Sequence, residues 1–297
     1  MAAVWGIFAV VALEILITYS RLPPAELYNV SGSGVTGGAS RALVFLNYPL
    51  ALVAIPLLVL VAERLASRPT TVVAAVGLVL SAAIFWPGIV EQSDLDARPV
   101  NAIAALGVLT AASLTAFAVV RLGMGWIRFR SPGDWLRVAL AAVALAVAIP
   151  WIAADVGVYL TDAPVLGTIF QTGELTSQPN VAGVHPAVHH GHHHGMDGVL
   201  LVLSALLLSR LLPAVRRRWL GAVCGAYLSL MLSYGAANAA NDAWLEQVVK
   251  RGWTDWQIPN VTEPKLSAAW AIVVACAVAL FAASAWRASR VRWSAER

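Results

Sequence analysis

Charge is what this sequence has least of. Asp, Glu, Lys and Arg make up 12% of its 297 residues and apolar residues 59%, a balance that excludes an ordinary soluble domain and points to a lipid-embedded bundle. Lysine occurs only at Lys250 and Lys265, against 18 arginines. With the abundant alanine, this fits a GC-rich bacterial gene and hence a bacterial cytoplasmic membrane. Cysteine also occurs only twice. Cys224 and Cys276 lie inside long apolar runs without CxxC or metal-ligand spacing, which argues against a thiolate site and for packing roles. A Walker sequence, a nucleophile elbow, HExxH and a persuasive internal repeat are absent. Nucleic acid is not an expected partner, because the net charge of +4 has a topological explanation.

Apolar runs long enough to cross a hydrocarbon core of about 30 Å occur near 3–20, 42–62, 71–90, 101–121, 135–155, 197–213, 219–240 and 266–286. The expected fold class is therefore all-α: one integral domain over 1–297, a polytopic transmembrane bundle of about eight spans. The first run has no basic segment before it and no small-residue cleavage pattern after it, so it reads as a span rather than a signal.

Orientation follows from the arginines, since cytoplasmic segments retain positive charge. One set of connections, with the C-terminal tail, holds 14 basic residues and only Glu63, Asp134 and Glu296 as acids; the other set holds six basic and twelve acidic residues. The basic set is assigned to the cytoplasm, and an even number of spans puts both termini there. Trp86, Trp151 and Trp270 then fall at outer helix ends, and Trp5, Trp135, Trp219 and Trp286 at inner ones, as interfacial belts require. The long outer connections are 21–41, 91–100, 156–196 and 241–265, and they contain most of the unusual chemistry.

All six histidines fall between residues 185 and 194, in HPAVHHGHHHGMDG. Neutral imidazole is the commonest side-chain ligand for transition metals, so the tract predicts a divalent transition metal: zinc, copper or iron. If the sixth span begins early, with Pro186 at a first helical position, then His185, His189, His193 and Asp197 share one face at i, i+4. His190 and His194 form a second such pair. Gly191 and Gly195 oppose a rigid helix, each by about 1 kcal/mol relative to alanine, and a loop that wraps its ligand is the alternative. The run from His189 to His193 resembles the HxxHH spacing of membrane di-iron desaturases and hydroxylases, which spread several such boxes over different cytoplasmic-side helices.

On the same outer side, EQSDLDARPVN groups Glu91, Asp94 and Asp96, candidate base or second metal site. The DxD-type pair resembles that of membrane glycosyltransferases, which implies a lipid-linked donor. Asp155, at the end of the fifth span, joins them as a catalytic candidate. The glycines 32, 34 and 37 form a GxGxxG with no strand before it, a sequence better suited to a backbone nest that holds an anion, with Arg41 nearby. Glu14 is the one clear ionisable group at mid-membrane and is a candidate for the floor of an outward-opening cavity. A polar rim of Asn238, Asn241, Asp242, Trp244, Gln247, Lys250 and Arg251 follows the seventh span.

Three functions fit these residues. The first is a metal-dependent membrane enzyme acting, away from the cytoplasm, on a lipid, a lipid-linked group or a small molecule. The second is a transition-metal transporter or sensor with Glu14 as relay. The third is a scaffold subunit of a membrane complex. A deep cavity at the histidines favours the first, a polar path past Glu14 the second, and a flat surface the third.

Overall fold

In the computed structural model the chain is a helical bundle. The described residues are 1–297 except 24–25, 28–32, 91–97, 125–131, 180 and 296–297; of residues 132 and 287–295 only the backbone is described. The helices are α1 (Ala2–Arg21), α2 (Gly34–Leu65), α3 (Arg68–Ala82), α4 (Ala102–Leu122), α5 (Pro132–Asp155), a single turn α6 (Leu166–Ile169), α7 (His194–Ser209), α8 (Arg218–Trp244) and α9 (Ala268–Ala295). Eight of these, all but α6, are long and apolar enough to cross a membrane once the short turns that carry α3 on to Phe85 and α7 on to Ala214 are included. The 156–196 connection is not wholly irregular: β1 (Leu175–Gln178) and β2 (Val181–Pro186) pair antiparallel, with Thr176 opposite His185.

Two boundaries move in a way that matters for the site. The second span begins at Gly34 instead of residue 42, so part of the glycine-rich stretch expected as a loop is helix. The seventh span continues past Trp244 through a π-helical turn, Leu245–Val249. The segment expected as a loop from residue 241 is therefore helical to Val249, and it carries Asp242 and Glu246 on one face at i, i+4.

Local sequence accounts for several ends. Ser67 caps α3 by accepting from the Thr70 amide at 3.3 Å, with Pro69 in the first turn. Gly123 ends α4 with a φ of 77°. Inside α2, Pro56 has no N–H for the carbonyl of Leu52 four residues earlier, and the Tyr227 hydroxyl of α8 donates to that carbonyl at 2.9 Å. A proline in a lipid-embedded helix is tolerated when a neighbour satisfies the freed group in this way.

α2 and α7 form the buried centre, and the other spans are arranged around them. Lipid offers no hydrophobic drive between helices, so close packing relies on small residues. The tightest crossing joins α7 and α8: a Cβ added at Gly198 would collide with the Gly235 carbonyl, and one at Gly235 with the Gly198 carbonyl. Gly107 meets Ser81 and Gly77 in the same manner between α4 and α3, and Gly38 meets the Leu16 carbonyl of α1. Cys224 is buried and Cys276 exposed, and both are free thiols.

Candidate functional site at the histidine end

The segment Ala187–His193 is threaded into the bundle by backbone contacts. The Ala187 amide donates to Glu174 O at 2.8 Å, Val188 to Thr172 O at 2.9 Å and Gly191 to Ala154 O at 3.1 Å. Gly191 has a φ of 103°, and an added Cβ there would run into the Tyr19 hydroxyl, so only glycine makes this turn. The chain then enters α7 with His193 as its N-cap residue. The helical register of His185, His189, His193 and Asp197 is thus not formed. His185 is on β2, His189 and His190 are in the turn, and only His194 and Asp197 are on α7. Gly191, with its positive φ, and the Val181–Pro186 strand prevail over the i, i+4 pattern, and the loop alternative is the observed one as far as His193; Gly195 is accommodated in the first turn of α7.

This turn places the imidazoles against carboxylates from three helices. His192 lies with Nε2 2.7 Å from Asp197 Oδ1 and Nδ1 3.6 Å from Asp155 Oδ2. Phe45 stacks beside its ring. Asp155 is 0% exposed, and among the described residues neither of its oxygens accepts a hydrogen bond. His193 directs Nδ1 to Glu246 Oε1 at 3.2 Å and Nε2 to the His189 carbonyl at 3.0 Å. Glu246 also accepts from the Trp151 indole N–H at 2.6 Å. Asp242, one turn before Glu246, accepts from the Gly195 amide. Lys250 donates to Ala187 O at 2.6 Å.

These contacts divide the histidines into two kinds. Burial would lower the His192 ring, but the Asp197 charge, joined by Asp155, outweighs it and lifts the ring to about 10. Burial likewise opposes protonation of His193, and Glu246 overrides it, so this ring is also raised. His189 lies against His193 with ring centroids 4.1 Å apart. Burial, then the positive charges of His193 and Lys250, hold His189 well below the ordinary histidine value. His190 is lowered by burial as well; it stacks on Tyr159 with centroids 4.0 Å apart.

A cavity of about 790 Å³ opens at this end, within the size range of small-molecule sites. Its polar wall includes His185, His189, His192, His193, His194, Asp197, Asp242, Glu246 and Lys250, and its apolar wall includes Leu27, Val44, Phe45 and Val90. The surface at the histidines is therefore concave. Five of the six histidines line it, and His190 does not.

The other expected site residues are distributed less simply. Asp155 reaches the site only through His192. Arg41 is buried, at 3% exposure, inside α2. Glu14 does not line the outward cavity; it lies on a separate groove between α1, α5 and α7, because the buried stripe of α1 is Val11, Ile15, Thr18 and Tyr19 and Glu14 points to the side of it. Glu91, Asp94 and Asp96 lie outside the described residues. Trp151 is not an interfacial anchor: it is 0% exposed, stacked on His193 and bonded to Glu246. Trp86, Trp135, Trp219 and Trp286 are exposed, as belt residues are.

Sequence reasoning missed His192 and Glu246, the two residues on which the buried pairs are built. The spacing Asn238, Asp242, Glu246 was a usable signal, since it continues one helical face past the apparent end of the span. Among the described residues, no three His, Cys, Asp or Glu side chains are grouped so as to hold a metal ion. The imidazoles are engaged with carboxylates and a carbonyl instead. The chain matches no protein-family model, no curated protein and no solved structure at a significant level, so its function is argued from this geometry.

Proposed function

We propose that the cavity at the histidine end is the active site of a membrane-embedded enzyme, open away from the cytoplasm, that performs acid–base chemistry on a lipid-linked or small amphiphilic substrate. The carrying observation is the pair of buried contacts, His192 with Asp197 and His193 with Glu246, on the wall of a cavity that also has aliphatic and aromatic lining. Carboxylates that grip imidazoles in this way fix ring orientation and store positive charge where water is scarce. His189 is the base in this scheme, because it lines the cavity and lies against the His193 ring, whose charged form disfavours a second charge. His193 and Lys250 supply positive charge for an anionic group of the substrate.

The test is conversion of a native lipid extract by the full chain in nanodiscs, read by mass spectrometry, for wild type against His189→Gln and Glu246→Gln. At least one species is consumed by wild type and spared by both variants. An extract that wild type leaves unchanged overturns the reading.

A second reading, a metal-dependent form of the same site, is favoured by the kinds of donor present. Asp242 and Glu246 line the cavity together with His189, His193 and His194, and mixed imidazole and carboxylate donors suit a divalent transition metal. His189, His193, His194, Asp242 and Glu246 would be the ligands of zinc, copper or iron. Elemental analysis of purified wild type and of Asp242→Asn tests it: about one metal per chain in the former and a clear loss in the latter support it, and a metal-free wild type that takes up none of the three ends it.

A further inference from the structure

A second cavity, of about 450 Å³, runs along the flank of the bundle between α1, α5 and α7. Its walls are almost entirely aliphatic. Val10 of α1 and Val138 and Leu145 of α5 line it and are 58%, 38% and 44% exposed, so it opens sideways, toward the position of lipid, and not toward either end. α5 packs mainly on α7 and touches α1 only slightly, which is why a groove remains there. From Met196 to Arg210 along α7, both on its wall, the groove is about 21 Å long at 1.5 Å per residue. That is longer than half of a hydrocarbon core of about 30 Å.

Glu14 of α1 also lines the groove; its other charged residues, Asp134, Arg137 and Arg210, are gathered at one end, and Ile152 and Met196 lie at the other. At the charged end Asp134, 6% exposed, is shared by two guanidiniums. Arg210 Nε lies 2.9 Å from Asp134 Oδ1, and Arg137 Nη1 lies 3.5 Å from the same oxygen, while Arg137 Nε donates to Ser209 Oγ at 2.9 Å. Among the described residues, two guanidiniums share this one carboxylate, so cations exceed acids at this end. The arginine side chains remain 31% and 23% exposed. This end belongs to the arginine-rich side that topology assigns to the cytoplasm.

We infer that this groove binds one anionic phospholipid of the cytoplasmic leaflet, an acyl chain lying along the α1, α5 and α7 walls and the phosphate seated on Arg137 and Arg210. Basic pockets between spans on the cytoplasmic side select anionic headgroups for this reason, and guanidinium forms bidentate contacts with phosphate. A zwitterionic lipid meets the same apolar wall without the charge match. The charged end of the groove is remote from the proposed active site, and the two cavities share no lining residue.

The experiment uses the full chain in nanodiscs containing equal amounts of phosphatidylglycerol and phosphatidylcholine, with lipids retained on release into detergent counted by native mass spectrometry. Wild type retains one phosphatidylglycerol per chain in preference to phosphatidylcholine. Arg137→Gln loses about fivefold of that preference, from ~1 kcal/mol per basic residue near the surface. Ala141→Phe, which fills the groove and leaves the charges alone, loses retention of both lipids at unchanged thermal stability. Equal retention of the two lipids by wild type overturns the inference, and so does full retention by Ala141→Phe. A preference that survives Arg137→Gln with Arg210→Gln removes the headgroup assignment. If the arginine variants fail to fold, the Ala141→Phe comparison still decides.

Discussion

Replacing Asp197 with asparagine isolates the electrostatics of the site, since the side chain keeps its shape and loses only its charge. In wild type His192 is held at about 10 against burial, with the Asp197 charge as the main support and Asp155 second. The gap between about 10 and the ordinary histidine value near 6.5 corresponds to about 5 kcal/mol at 1.36 kcal/mol per pH unit, net of the burial that opposes it. A raised folded-state value means that this stabilisation is fully present below pH 6.5 and is lost as pH rises through about 10. Asp197→Asn removes the larger support, so burial prevails and the ring is neutral at pH 8. The cost is about 3 kcal/mol of stability at pH 6, and the decline between pH 6.5 and 10 flattens. Nitrogen chemical shifts of labelled histidine in nanodiscs read the charge, and unfolding in mixed micelles reads the stability. A wild-type His192 that titrates near 6.5, or an Asp197→Asn ring still charged at pH 9, refutes the reasoning.

Two further outcomes follow from the fold. Gly198→Ala forces α7 from α8 at their backbone contact and lowers stability by about 2 kcal/mol or more, whereas Gly221→Ala on α8, whose nearest neighbour is Val215 at 3.7 Å, is neutral or gains up to about 1 kcal/mol; equal effects in unfolding assays count against the packing argument. In a chain with Cys224 and Cys276 replaced by alanine, cysteines introduced at Ala66 and Val215 react with an impermeant maleimide only after lysis, and one at Asp162 reacts in intact cells. The reverse pattern overturns the charge-based topology.

The helices were legible because a membrane span must satisfy its own backbone and present apolar side chains to lipid, and both demands are written locally. The same locality explains the misplaced ends. Asp242 and Glu246 are polar because they face a protein cavity, and a polar residue on a buried helical face looks in sequence like the start of a loop. Trp151 shows the converse: an indole at a helix end reads as an interfacial anchor until a carboxylate 95 residues away is found to accept its N–H.

The clustering of six histidines within ten residues marked one end of the molecule as chemically distinct, and composition alone decided that the chain is a bundle of membrane-length helices. What each histidine does was decided only by tertiary structure. Asp155, Asp197, Asp242 and Glu246 come from α5, α7, α8 and the π-helical extension of α8, and the charge of a buried imidazole depends on which of them lies within a few ångströms. Spacing along the chain specifies the residues available at a site, whereas proximity across helices selects the pairs, and here the pairs His192 with Asp197 and His193 with Glu246 separate two rings pushed toward the charged form from two, His189 and His190, pushed toward the neutral one.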